Sequence, residues 1–246
     1  MSEPDSFMSH LIELRDRLLR CILALLLVFI GLFPWATDIY ALVAKPMLAA
    51  LPSGGQMIAT GVVTTFFVPV KVTMLAALVI ALPYVLYQVW AFVAPGLYQH
   101  EKRMVAPLVI SSTLLFICGM AFAYFIVFPL VFGFLARFAP SGVSYMPDIQ
   151  SYLDFVLTMF VAFGVTFEVP IAVIVLVKVG VVSVAKLREA RPYVIVGAFV
   201  LGAIFTPPDV ISQFMLAMPL WVLYETGIVV ASWTSRQQES PQSDSA

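Results

Sequence analysis

Between Arg103 and Arg137 the chain carries no Asp, Glu, Lys or Arg, and the same is true between Lys71 and Glu101. Stretches of this kind constrain the fold more than any motif does. In lipid only a helix, or a closed barrel, satisfies its own backbone, and a helix needs about 20 apolar residues to cross. Four further stretches follow the pattern. The first runs from Leu18 to about Thr37, with Arg20 near its start; the fourth, Phe155 to Val177, holds the single acid Glu168; the fifth lies between Arg191 and Asp209; the sixth is interrupted by Glu225. Charged residues make up 11% of the chain, against about 25% in soluble domains, so a water-facing surface could not be covered. The expectation is an all-α polytopic membrane protein of six transmembrane helices, at about 18–37, 72–98, 104–136, 153–177, 192–206 and 210–233, followed by a disordered cytoplasmic tail at 234–246.

The basic residues set the direction. With the N-terminus in the cytoplasm, Arg15, Arg17, Arg20, Lys102, Arg103, Lys178, Lys186, Arg188, Arg191 and Arg236 fall on that side. Only Lys45, Lys71 and Arg137 remain for the far side and its margins. Cytoplasmic loops of membrane proteins hold the excess of Lys and Arg, so both ends are expected inside. No cleavable signal peptide is expected at the N-terminus, where a mixed-charge stretch precedes the first apolar run.

The run Thr206-Pro207-Pro208-Asp209 cannot continue a helix, because each proline removes a donor and clashes with the turn before it. Pro192 to Thr206 and Val210 to Tyr224 are then arms of about 15 residues, roughly 22 Å each. A single broken helix would put Arg191 and Glu225 on opposite sides of the membrane. A tight hairpin of two short spans is expected instead, with the bilayer thinned around it.

Few residues offer chemistry. The histidines are His10 and His100. His100-Glu101-Lys102-Arg103-Met104 begins like a zinc helix, but Met104 stands where the second histidine belongs. Nothing resembles a nucleophile elbow or a phosphate loop, so no enzyme, metal or cofactor is expected, and a net charge of −1 argues for no nucleic-acid partner. Cys21 and Cys118 read as small buried apolar residues, and the four tryptophans as interfacial belts.

Two acids stand out at the cytoplasmic margin. Glu13 either pairs with Arg17 one turn on, an ordinary contact of about 0.2–0.5 kcal/mol, or joins Glu101 in receiving a cationic ligand. Carboxylates suit guanidinium groups because they accept two parallel N–H bonds. Glu168 lies mid-span, where a charge costs about 2.5–3.5 kcal/mol; it is either neutral or faces a wet cavity. Gln213, within the sixth span, either binds helix to helix or binds a partner.

Several stretches in order, His10-Leu-Ile-Glu-Leu-Arg15, Tyr87-Gln-Val-Trp-Ala-Phe-Val-Ala-Pro95, Leu97-Tyr-Gln-His-Glu101, Ala121-Phe-Ala-Tyr-Phe125, Phe167-Glu-Val-Pro170, Arg191-Pro-Tyr193 and Thr206-Pro-Pro-Asp209, resemble the TatC family of the twin-arginine protein translocase. The resemblance implies a receptor in the bacterial inner membrane that binds the twin-arginine signal peptides of folded proteins. It also implies export driven by the proton-motive force, in an oligomeric assembly with the single-span proteins TatA and TatB. It implies that Glu13 and Glu101 receive the arginines, with Arg15 and Phe92 beside them, and that Glu168 faces a concave membrane cavity. Thr206 and Gln213 become part of a partner-docking surface, and Pro46 a position tied to assembly. Gln99 and Gly61 depart from residues common in the family and leave the roles of those two positions open. The alternative from the residues alone is a proton-coupled small-molecule transporter using Glu168.

Overall fold

Each apolar run becomes a helix, and the prolines decide where it breaks. The computed structural model describes residues 3–51, 55–93, 105–137, 146–205 and 210–239. Among these, α1 (Glu3–Leu32) carries the amphipathic N-terminal segment and the first apolar run as one helix. A short 3-10 turn, Phe33–Trp35, holds Pro34 and leads into α2 (Ala36–Ala50), which contains Pro46. The segment that follows the first apolar run is thus partly helical. Next come α3 (Thr64–Val93) and α4 (Val105–Phe122). Residues 123–127 widen into a π turn before α5 (Phe128–Arg137). Pro129 explains the widening: its ring would strike the carbonyl four residues back in a regular helix. The fourth run is α6 (Ile149–Phe167) and α7 (Val169–Lys178), parted at Glu168, and the short α8 (Val184–Glu189) follows. The last two are α9 (Arg191–Phe205) and α10 (Val210–Glu239).

Five of these segments are long and apolar enough to cross a bilayer, and α9 is a sixth, shorter apolar helix. The described residues contain no strand, only an isolated bridge between Ile58 and Asp148. The chain is a polytopic helical membrane protein.

Two compact units make up the chain, Met1–Thr113 with Gly142–Leu157 and Leu114–Ser141 with Thr158–Ala246. In the first, α3 packs against α1 and α2. Val68, Val72, Ala77, Leu153 and Val156 are fully buried there, and the Tyr152 hydroxyl donates to the Val43 carbonyl at 2.7 Å. Trp90 is a correction to the belt expected from its type. It is buried, and its indole N–H donates to Ser112 Oγ at 2.8 Å; a partner on another helix leaves no trace in local sequence. In the second unit part of the phenylalanine-rich run is core: Phe128 and Phe132 are buried, while Phe125 is exposed; Phe128 lies edge-on to Phe160 at 5.1 Å, and Phe122 meets Phe163 at 5.6 Å. Cys118, expected to be buried, is exposed on the protein surface.

The hairpin is formed. Arg191 Nη2 lies 2.7 Å from Glu225 Oε2, a contact that a single broken helix could not make. Its turn, 206–209, lies outside the described residues. Two expectations about the sixth helix need correction. The apolar arm expected to stop short at Tyr224 does not: α10 runs unbroken through Glu225 for 30 residues, about 45 Å, and its apolar span, Val210–Trp233, has the expected 210–233 bounds. Glu225 does not stop it, because Arg191 neutralises the carboxylate. On either side of it, Tyr224, Ile228 and Ala231 pack with Val173 and Leu187. The helix also continues to Glu239, into the tail expected to be disordered from 234. Arg, Gln and Glu favour helix, and extending an existing helix is far easier than starting one.

Candidate functional site

The amphipathic start of α1 places Glu13 and Arg17 one turn apart, and the ordinary pair is made. Arg17 Nε and Nη2 both donate to Glu13 Oε1, at 2.9 and 2.6 Å. Arg17 does more than pair locally: its Nη1 donates to Gln88 Oε1 at 3.0 Å. Gln88 is 4% exposed and sits on α3 one turn before Phe92, which is half-buried. Arg15 turns to its neighbour Asp16, at 2.9 and 3.0 Å, on the exposed side of α1. Glu101, the second acid of the expected pair, and Gln99 lie outside the described residues. Three of the four expected site residues are therefore placed on two packed helices, α1 and α3.

Glu168 occupies the turn between α6 and α7. Its backbone N–H donates to the Val165 carbonyl at 3.1 Å, and its own carbonyl accepts from Ala172 at 3.0 Å. Pro170 stands in the first turn of α7, where its missing N–H costs nothing, so the break falls at the acid rather than at the proline. Both carboxyl oxygens are shielded from solvent. Gln213 binds helix to helix: its amide donates to the Phe199 carbonyl at 2.9 Å, and a Cβ on Gly202 would fall 2.9 Å from its Cγ. Thr206 lies outside the described residues. Beside Gln213, Phe122, Phe167, Phe214, Met215, Met218 and Val222 line an apolar groove of about 490 Å³. Pro46 sits inside α2, half-buried beside buried Ala44 and Met47.

A family model described as Sec-independent protein translocase protein (TatC) matches residues 9–219. The chain belongs to the TatC family. A TatC protein of Azotobacter chroococcum is 56% identical, over 99% of this chain and 97% of its own. One from Escherichia coli K12 is 54% identical, over 93% of this chain and 88% of its own. A crystal structure of the twin arginine translocase receptor TatC superposes with a TM-score of 0.81 at 39% identity, covering 92% of this chain and all of that one. Members of the TatC family are protein-translocase components, so this chain is a transport protein rather than an enzyme.

One cluster in this TatC chain escaped the sequence reading. In the first unit, Ile58 N–H donates to the Pro147 carbonyl at 3.1 Å and Ile149 N–H to the Ile58 carbonyl at 2.8 Å. Asp148 fastens this bridge. Oδ2 accepts from the backbone N–H and hydroxyl of Ser151, both at 3.0 Å; Oδ1 accepts from the Thr60 hydroxyl at 2.8 Å and its N–H at 3.3 Å. Nearby, Lys71 Nζ lies 2.6 Å from Asp154 Oδ1. The signal was present: Asp148 immediately precedes an apolar helix, the position where a short oxygen-bearing side chain caps free N–H groups. The Ser151 N–H and Thr60 hydroxyl hold the Asp148 carboxyl down at about 2. Because the folded group titrates below its ordinary 3.8, its stabilisation is complete above about pH 4 and is lost as the pH falls toward about 2. Protection of the Ile58 and Ile149 amides, taken against their intrinsic exchange rates at each pH, should therefore fall over that window, and Asp148→Ala should show the lower protection at neutral pH. Flat protection through the window would disprove the tie.

Proposed function

We propose that this chain is the receptor component of a twin-arginine translocase. It sits in the bacterial inner membrane with both ends in the cytoplasm, which the distribution of basic residues supports. It binds the paired arginines of signal peptides on folded cargo, using Glu13 and Glu101, with Arg15 and Phe92 beside them. It gathers TatA and TatB into an oligomeric complex that uses the proton-motive force. Thr206, Gln213 and the apolar groove beside α10 form the docking surface for their single helices. Glu168 serves the membrane cavity, and Pro46 sets α2 for assembly.

Family membership supports the translocase role and ranks it above a proton-coupled transporter using Glu168. The observation that carries the recognition site is the state of Glu13. It stands on the exposed face of α1 with both of its ion-pair bonds on Oε1. Among the described residues Oε2 receives no hydrogen bond, so it remains an acceptor for an incoming guanidinium. The test is photocrosslinking from a probe placed beside Glu101. A twin-arginine peptide should be captured and a twin-lysine version should not; equal capture would refute the assignment.

A further inference from the structure

We infer that Arg17 and Gln88 are positioning residues of the recognition site, holding the Glu13 carboxylate so that Oε2 faces a signal-peptide arginine. This rests on the reading that Glu13 receives such an arginine.

An isolated Glu–Arg pair on an exposed helix is a loose contact, since both side chains lose rotamer freedom for little gain. The pair here differs in its third bond. Gln88, buried on α3, accepts from Nη1 of Arg17. A guanidinium is planar, and its N–H groups point in fixed directions. Once Nη1 is held by Gln88, and Nε and Nη2 by Glu13, the plane can neither rotate nor withdraw. The Arg17 side chain is only 23% exposed, so its stem is held by packing as well.

Two consequences follow for Glu13. Its carboxylate is fixed before a ligand arrives, so ordering it adds nothing to the cost of binding. Its charge is also balanced by Arg17, which weakens its attraction for any passing cation. Geometry rather than net charge then separates ligands: an arginine offers directed N–H donors to Oε2, whereas a lysine is a point charge. The same tie joins α1 to α3 one turn from Phe92, so the acid and the aromatic ring are set at a fixed spacing. Arg17 thus acts on specificity through Glu13, without touching the ligand itself.

The experiment uses the full chain in lipid nanodiscs with a fluorescent twin-arginine signal peptide and its twin-lysine counterpart. Arg17→Gln should weaken twin-arginine binding roughly tenfold, the scale of one charge-assisted hydrogen bond, and leave twin-lysine binding no weaker, so discrimination narrows. Gln88→Leu, which leaves α1 intact, should act in the same direction by a smaller factor and guards against a folding defect in the first variant. Adding Arg17→Gln to Glu13→Gln should weaken binding no further, because Arg17 works through that carboxylate; a merely structural role would add. If Glu13→Gln weakens twin-arginine binding while Arg17→Gln leaves it unchanged or tightens it, the positioning role is overturned alone. If Glu13→Gln binds normally, the acid assignment itself fails, and this inference with it.

Discussion

Glu13→Lys should reduce capture of a twin-arginine peptide to background while the protein still inserts and folds. The change reverses the charge where a guanidinium is expected to dock. A hydrogen bond to a charged group contributes about 1.5–3 kcal/mol, so its loss alone lowers affinity by roughly ten- to a hundredfold. Lysine adds repulsion from the incoming cation and from Arg17 one turn away. That second repulsion costs the helix only about 0.2–0.5 kcal/mol, and the apolar length of α1 is untouched, which is why insertion should survive. Glu101→Lys should behave likewise. The measurement is peptide crosslinking normalised to membrane-inserted protein. Normal capture by both variants would end the acid-pair assignment.

Gly119→Val should prevent accumulation of folded protein. An ideal Cβ at Gly119 would fall 2.5 Å from the Phe163 carbonyl oxygen and 2.9 Å from its carbon. These are backbone atoms of α6, so no side-chain rotation relieves the contact. The helices must part, and the contacts of Phe122 with Phe163 and Phe167 part with them. Overpacking ordinarily costs about 1–3 kcal/mol; here the loss of the aromatic contacts is added. Small residues at helix crossings let backbones approach where lipid supplies no hydrophobic drive. Gly133, by contrast, has open space at its Cβ position, so Gly133→Ala should be neutral. Detergent-stable yield and melting temperature distinguish the two; equal yields would show the crossing to be tolerant.

The spans were legible because excluding charge from lipid leaves long uncharged runs, a signal that needs no knowledge of tertiary partners. The hairpin was legible for a related reason: Pro207 and Pro208 have no place in a helix interior. What escaped depends on pairs distant in the chain. Glu225 looked like an interruption of the sixth span because Arg191, its partner, lies 34 residues earlier. Trp90 looked like part of an interfacial belt and Gln88 carried no signal, yet Ser112 and Arg17 determine what each does. Of the site itself, Glu13 with Arg17 was readable from helical spacing, whereas the buried amide that locks them was not. Asp148 carried a local capping signature, but its link to Thr60 spans 88 residues.

The Arg191–Glu225 contact bears on the order in which this chain can be made. Alone, α9 offers about 22 Å of apolar length against a hydrocarbon layer of ~30 Å, and it begins with an uncompensated cation. The carboxylate that offsets that cation is synthesised later, on the far arm of the hairpin. Until it arrives, the first arm lacks the length to cross that layer on its own, and its leading guanidinium lacks its partner. The two arms therefore depend on each other, closed at the open end by a contact of no net charge.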